Sequence, residues 1–186
     1  METTTELLRP QQLFSELGLR ENMKVADLGC GAIGLFVFAA ARMIGDKGMV
    51  YAVDILPSVV ERIRGAASSE GLHTIVAVWS NIEIYGATKI PAGSLDAAFL
   101  INTLFQSKKH EEMLREACRL IKPGGRLLVV DWKKTFAPLG PPVAMRVEAE
   151  VIVALAQKAG LGLDHAFDPG KYHFGLIFSK AEDKIQ

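Results

Sequence analysis

Three glycines, Gly29, Gly31 and Gly34, punctuate the stretch VADLGCGAIG at residues 25–34 and match the spacing G-x-G-x-x-G, with Asp27 two residues ahead of the first. Glycines so placed let main chain come close to a ligand, and the pattern is shared by loops that hold the pyrophosphate of a dinucleotide. Asp27 argues for something else. A carboxylate about 5 Å from a bound phosphate would repel it by roughly 3 kcal/mol at an effective dielectric of 20, whereas a cationic ligand would gain. The acid could instead order the loop by accepting backbone N–H groups. A second acid, Asp54, follows the loop by about 25 residues, where a carboxylate can accept both hydroxyls of an adenosine ribose. Next, in WSNIE, Asn81 offers an amide donor and acceptor to an adenine edge, and Ile82 can cover its face.

These residues need strands that end where they stand, and the sequence supplies them. MKVADLG (23–29), GMVYAVDI (48–55), TIVAVWS (74–80), LDAAFLIN (95–102) and RLLVVDW (126–132) read as strands. They alternate with helical patterns at 32–44, 57–70 and 110–121. Several of the strands are nearly unbroken in apolar residues, as strands covered on both faces by helices are. Pro10 to Leu17 reads as a short leading helix with Gly18 past its end, within a helical segment over about residues 1–20. KKTFAPLGPPVAMRV (133–147) reads as a loop, and residues 148–160 as a last helix closed by Gly160. LDHAF and YHFGLIF, joined by DPGK, read as a terminal antiparallel hairpin. The expected fold is α/β: a doubly wound, Rossmann-like sheet of seven strands, mostly parallel, forming one domain over residues 1–186.

Composition sets bounds. The chain has 186 residues, 49% hydrophobic, enough for one well-buried core on each face of a sheet. Lys plus Arg and Asp plus Glu number 21 each, so no global positive field draws it to phosphate backbones, and nucleic acid is disfavoured. Cys30 and Cys118 are far apart with no CxxC spacing, which speaks against a structural metal site and for a reducing compartment. METTTELL shows no export signal, and the longest apolar run, 32–41, is about half a bilayer span. A cytoplasmic location is expected.

The motifs VADLGCGAIG, VYAVDI, LDAAFLIN and LIKPGGRLLVVDW occur in an order and spacing that resembles the class I S-adenosylmethionine (SAM) dependent methyltransferases, most closely the ubiquinone/menaquinone methyltransferase-like group. The resemblance runs from about Leu7 to Lys180 and includes the terminal hairpin. SAM carries a sulfonium and an ammonium and no phosphate, which suits Asp27. The resemblance implies that Gly29, Cys30, Gly31 and Gly34 shape the cofactor cradle, with Cys30 as a small packing residue. It puts Asp27 near the methionine end, Asp54 and Ile55 at the ribose, Asn81 and Ile82 at the adenine, and Asn102 under the methionine beside the acceptor. Where many relatives carry two histidines after the fourth strand, this chain has Phe105 and Gln106, so an acid–base role there does not transfer. LINTLF also lacks the N/D-P-P-Y/F pattern used on exocyclic amines of adenine.

Methyl transfer is a direct displacement, so alignment and desolvation come first and a base is needed only if the acceptor must lose a proton. Gln106, Trp132, Lys133, Arg146, Tyr172 and His173 are expected along the carboxyl edge as the acceptor site for a small molecule. Trp132 and Tyr172 would be its walls, Lys133 or Arg146 the attraction for an anionic group, and His173, Tyr172 and Asn102 the candidates for catalysis. His173 would be the base. His110 and Cys118 are read as structural. Two other readings remain at this stage: a nicotinamide oxidoreductase, from the glycine spacing, and a SAM-binding domain without catalysis.

Overall fold

The computed structural model describes residues 8–135 and 139–182, so Leu7, the opening residues and Phe136 to Pro138 of the expected loop lie outside the described chain. Seven strands form one sheet: β1 (Lys24–Leu28), β2 (Met49–Asp54), β3 (Ile75–Trp79), β4 (Leu95–Ile101), β5 (Ile121–Trp132), β6 (Leu161–Gly170) and β7 (His173–Lys180). Their spatial order is β3-β2-β1-β4-β5-β7-β6, parallel except for β7. The order reverses between β1 and β4, and in such sheets the crevice beyond the carboxyl ends at that point is where ligands bind. Asp27, Asp54 and Asn102 all arrive there. The expected fold class is borne out.

Strand alternation divides the core in two. Val25, Phe99, Leu128, Val130 and Ile177 face α1 (Pro10–Leu17), α2 (Leu35–Ile44) and α3 (Pro57–Ser69). Ala98, Leu100, Leu127, Val129 and Leu176 face α4 (His110–Leu120) and α5 (Ala149–Lys158). Every strand residue two places on returns to the same side, so each site residue inherits its face from its parity.

The structure corrects three element boundaries. The helix expected from Ala32 begins at Leu35, because Gly34 sits at φ 62° and ψ 26°, a left-handed conformation that no helix interior holds, and residues 30–33 remain in the loop. The strand expected from Arg126 begins at Ile121, with its pairing to β4 shifted between Leu95 and Ala97. The hairpin turns at Lys171 and Tyr172, not across Asp168 to Lys171: β6 runs on through Gly170, and a register shift between Phe167 and Gly170 absorbs Pro169. β6 is an edge strand, so the missing Pro169 N–H costs no ladder bond.

One buried carboxylate joins the loop after β3 to the helix behind β4. Glu116 of α4 is fully buried; it accepts N–H bonds from Gly86 (2.7 Å) and Thr88 (3.0 Å) and a pair from Arg119 (2.8 and 2.7 Å). Burial alone would raise its pKa, but the guanidinium and the amides outweigh this and hold it at about 2. Glu116→Ala would leave those donors unsatisfied, and urea unfolding near neutral pH should show a loss of about 3–5 kcal/mol. Because the folded value lies below the ordinary 4.5, the carboxylate's contribution is present above that pH and is lost as pH falls toward 2. An equally stable variant would refute the tie.

Candidate functional site

The glycine loop is tied to β2 at its start, where Gly29 N and Cys30 N both donate to Val53 O (2.8 and 3.0 Å). A Cβ on Gly29 would lie 2.5 Å from Thr103 Cγ2, so only glycine lets the turn after β4 pack this close. A Cβ on Gly31 would meet nothing within 4 Å, and its main chain faces open space. That space is two adjoining cavities of about 370 and 260 Å³, which share Gly29, Gly31, Ala32 and Gln106 and so form one trough.

The larger cavity is bordered by Asp54, Ile55, Asn81, Ile82 and Met113. Asp54 holds the loop, accepting from Gly31 N and Leu56 N at 3.0 Å each. Asn81 Oδ1 accepts from Glu83 N (2.8 Å), which leaves its Nδ2 as the group able to donate into the cavity. The smaller cavity is bordered by Asp27, Cys30, Gly34, Phe36, Asn102 and Leu8. Every residue expected at the cofactor from the sequence therefore lines one cavity or the other. Phe36 and Met113 were not foreseen, since each reads as one more apolar residue in a helical stripe.

Electrostatics separates the two ends. Asp27 is 1% exposed, and its Oδ2 has no hydrogen-bond partner. Burial, and then the charge of Asp54, push its pKa well above the ordinary 3.8. Asn102 adopts φ 54°, a left-handed conformation that asparagine tolerates better than most residues, and its Oδ1 is also buried and unpartnered. Two unsatisfied acceptors in one small cavity suit a group that only donates, such as an ammonium. The same burial and the same two carboxylates raise the Cys30 thiol, so it is no nucleophile but a packing residue.

Of the acceptor residues expected from the sequence, Gln106 and Arg146 border a cavity, whereas Trp132, Lys133, Tyr172 and His173 border none of the cavities at this edge. Arg146 is 5% exposed: its guanidinium donates to the carbonyls of Lys133, Thr135, Leu139 and Pro141 at 2.8–3.1 Å, and its Cζ lies 5.5 Å above the Trp132 ring. With its donors taken by main chain it knots the segment after β5, and does not attract an anion. Lys133 Nζ is paired with Asp168 at 2.5 Å. His173 stands opposite Trp132 in the β5–β7 register and stacks on it, ring centroids 4.1 Å apart, at 1% exposure. Burial, with Arg146 and Lys133 nearby, lowers its pKa to about 4, which makes it a weak base, and both ring nitrogens are buried without a partner. Tyr172 is half-buried in the hairpin turn. Neither Tyr172 nor His173 borders the trough.

Gln106 does. It lines both trough cavities and also a third, of about 360 Å³, walled by Phe105, Met145, Val147 and Val151, with His110, Lys108, Lys134 and part of Arg146 around it. This cavity lies between the turn after β4 and the segment after β5. Sequence reading passed over Met145 and Val151, which stand in an apparent loop and an ordinary helix.

A family profile described as a methyltransferase domain matches residues 19–161. The chain is 30% identical over 128 residues to the ubiquinone/menaquinone biosynthesis C-methyltransferase UbiE of Laribacter hongkongensis, an alignment that takes in 69% of this chain and 50% of that protein. It thus spans about half the length of such relatives. A crystal structure of a SAM dependent methyltransferase from Aquifex aeolicus superposes with a TM-score of 0.84 at 28% identity, covering 92% of this chain and 89% of that one. The geranyl diphosphate C-methyltransferase of Streptomyces coelicolor, 13% identical with a TM-score of 0.76 and coverage of 92% and 78%, shares the fold.

S-adenosylhomocysteine, which keeps the adenosine and the ammonium, tests both ends of the trough by calorimetry. Asp54→Ala should weaken it about 10- to 150-fold, since each charge-assisted hydrogen bond is worth roughly 1.5–3 kcal/mol. Asp27 holds its proton to a higher pH than an ordinary carboxyl, and that proton competes with the ammonium, so affinity should rise with pH in the wild type and stay flat in Asp27→Asn. The same slope in both proteins would remove Asp27 from the site.

Proposed function

Since the chain belongs to the methyltransferase-domain family, in its class I, UbiE-like, SAM-dependent branch, we propose that it transfers the methyl group of SAM to a small, largely apolar acceptor held in the third cavity. The observation that carries this reading is the continuity of space at Gln106: the side chain that ends the cofactor trough also opens the cavity between the turn after β4 and the segment after β5.

SAM supplies an electrophilic methyl on a sulfonium, taken by a lone pair or carbanion of the acceptor with release of S-adenosylhomocysteine. The residues present fit it. Asp27 Oδ2 and Asn102 Oδ1 lack partners and can receive the ammonium. Asp54 can turn from the loop amides to the ribose hydroxyls, and Asn81 Nδ2 can donate to the adenine, over the apolar face of Ile82. A bound pyrophosphate would instead meet an unpartnered carboxylate, which speaks against the nicotinamide reading.

At the third cavity the chain's contribution is shape and desolvation, through Phe105, Met145, Val147 and Val151. Lys108 stands at its rim for a polar or anionic end of the acceptor, while Lys134 there is paired with Glu148 at 3.7 Å. By its name one relative is a C-methyltransferase of ubiquinone/menaquinone biosynthesis, and a protein of the same fold is named for geranyl diphosphate, an apolar chain with an anionic end. A cytoplasmic setting accords with the two free, buried thiols, Cys30 and Cys118.

Incubation with methyl-labelled SAM and fractionated small-molecule extract should yield a labelled apolar product and S-adenosylhomocysteine. Binding of SAM with no labelled product from any fraction would instead support a domain without catalysis. Once the acceptor is identified, Met145→Glu, which puts a charge on the half-exposed apolar lip of this cavity, should cut kcat/KM for it by about 3-fold or more and leave S-adenosylhomocysteine affinity within about twofold. Unaltered transfer would move the acceptor elsewhere.

A further inference from the structure

Asp131, the penultimate residue of β5, is fully buried and touches none of the three cavities. Its side chain leaves the sheet on the α4 face and reaches the turn that follows β4. Oδ2 accepts from Leu104 N (2.9 Å) and Phe105 N (3.3 Å), while Oδ1 accepts from Trp132 N (2.8 Å). The same turn is held from the other side by His110 of α4, whose Nε2 lies 3.0 Å from Leu104 O and donates to it in the Nε2–H tautomer. Leu104 is thus held at both its N–H and its carbonyl. The clamped turn carries Asn102 in its strained conformation, Thr103 against Gly29, and Gln106, whose Nε2 returns to Asn102 O at 2.9 Å.

We propose that Asp131 is a positioning residue, whose carboxylate holds the Asn102–Gln106 turn as the floor shared by the cofactor trough and the acceptor cavity. A neutral side chain cannot do the same. The carboxylate is acceptor-only and takes three amides at once; an asparagine turns one of its two positions into a donor facing an amide N–H. Burial pushes the carboxyl up, the three amides and the charge of His110 pull it back, and the balance is about 6. His110 is the titratable group facing it. Its strand neighbours on either side, Ile101 and Asn102 of β4 and Phe174 of β7, are uncharged, and Lys108, Lys134, Arg146 and Glu148 border the cavity beside Phe105.

The linkage has a defined sign. An acid whose folded pKa lies above its unfolded value makes the protein less stable as pH rises between the two, here from 3.8 to about 6, and contributes a constant cost above. The carboxylate that orders the turn is therefore kept at the expense of global stability, which separates positioning from ordinary stabilisation. Protonation below about 6 removes an acceptor from the turn and frees it.

The role rests on the methyl-transfer reading, and the test separates the two. Amide exchange of Leu104 and Phe105, corrected for intrinsic rates, should quicken about tenfold as wild-type protein is taken from about pH 7.5 to 5, and should be fast at both in Asp131→Asn. At about pH 8 the variant should bind S-adenosylhomocysteine about 3- to 10-fold more weakly, and the difference between its melting temperature and the wild type's should shift in the variant's favour between about pH 4 and 6, since Asp27 and His173 titrate alike in both proteins. Slow, pH-independent exchange of the two amides in the wild type overturns the proposal without any variant. So does an Asp131→Asn protein with wild-type affinity and wild-type exchange. If the wild type binds no S-adenosylhomocysteine, the methyl-donor reading fails, and the exchange result alone decides the clamp.

Discussion

A carboxylate held in low dielectric with one oxygen unpartnered is the constraint from which the site follows. Asp27 lies at the middle of the sheet, between β2 and β4, where the strand order reverses and no solvent reaches. An ionised group there carries an effective desolvation cost of several kcal/mol, which the free protein lessens by keeping the proton on. A group that donates hydrogen bonds to that oxygen, and all the more one that carries positive charge, offsets the cost. Asp54, one strand away, deepens the effect by its own charge and keeps the loop closed through two amides. Glycines 29 and 31 then bring main chain to the edge of the cavity without covering those acids.

The carboxyl edge of β5 solves the opposite problem. It brings a buried guanidinium and a buried imidazole beside a tryptophan, and each is made neutral or satisfied by local means. Arg146 has five donors, and the chain that leads to it bends so that four carbonyls meet them. His173 loses its proton in the same surroundings. The guanidinium is thereby held over Trp132, while the side toward α4 and α5 stays open as the third cavity. Basic residues near a site are thus no measure of its charge; what counts is how many of their donors remain unspent.

Acids at the ends of β1, β2 and β5 therefore do three different jobs. Asp27 keeps one oxygen without a partner, Asp54 ties down the glycine loop, and Asp131 holds the turn after β4 without bordering any of the three cavities. All three end strands rich in apolar residues, and nothing in their immediate neighbours tells them apart. Number and direction of nearby amides do. Asp131 receives three, Asp54 two, and one oxygen of Asp27 none.

What the sequence by itself determined was whatever depends on near neighbours. The alternation of strand and helix, the glycine spacing, the acid closing β2 and the terminal hairpin all follow from local periodicity and turn chemistry, and the ten residues expected at the cofactor line the trough because short loops leave them no other place. Boundaries slipped by a few residues where a single backbone conformation decided them, as at Gly34 and Pro169. The acceptor side was not legible. Whether Lys133 is free depends on Asp168, 35 residues on, and whether His173 faces solvent depends on the antiparallel register that sets it against Trp132. Tertiary structure alone decided these, because a side chain's face and its partner are fixed by pairing between distant strands, and the identity of a charged residue carries no record of where its donors are spent.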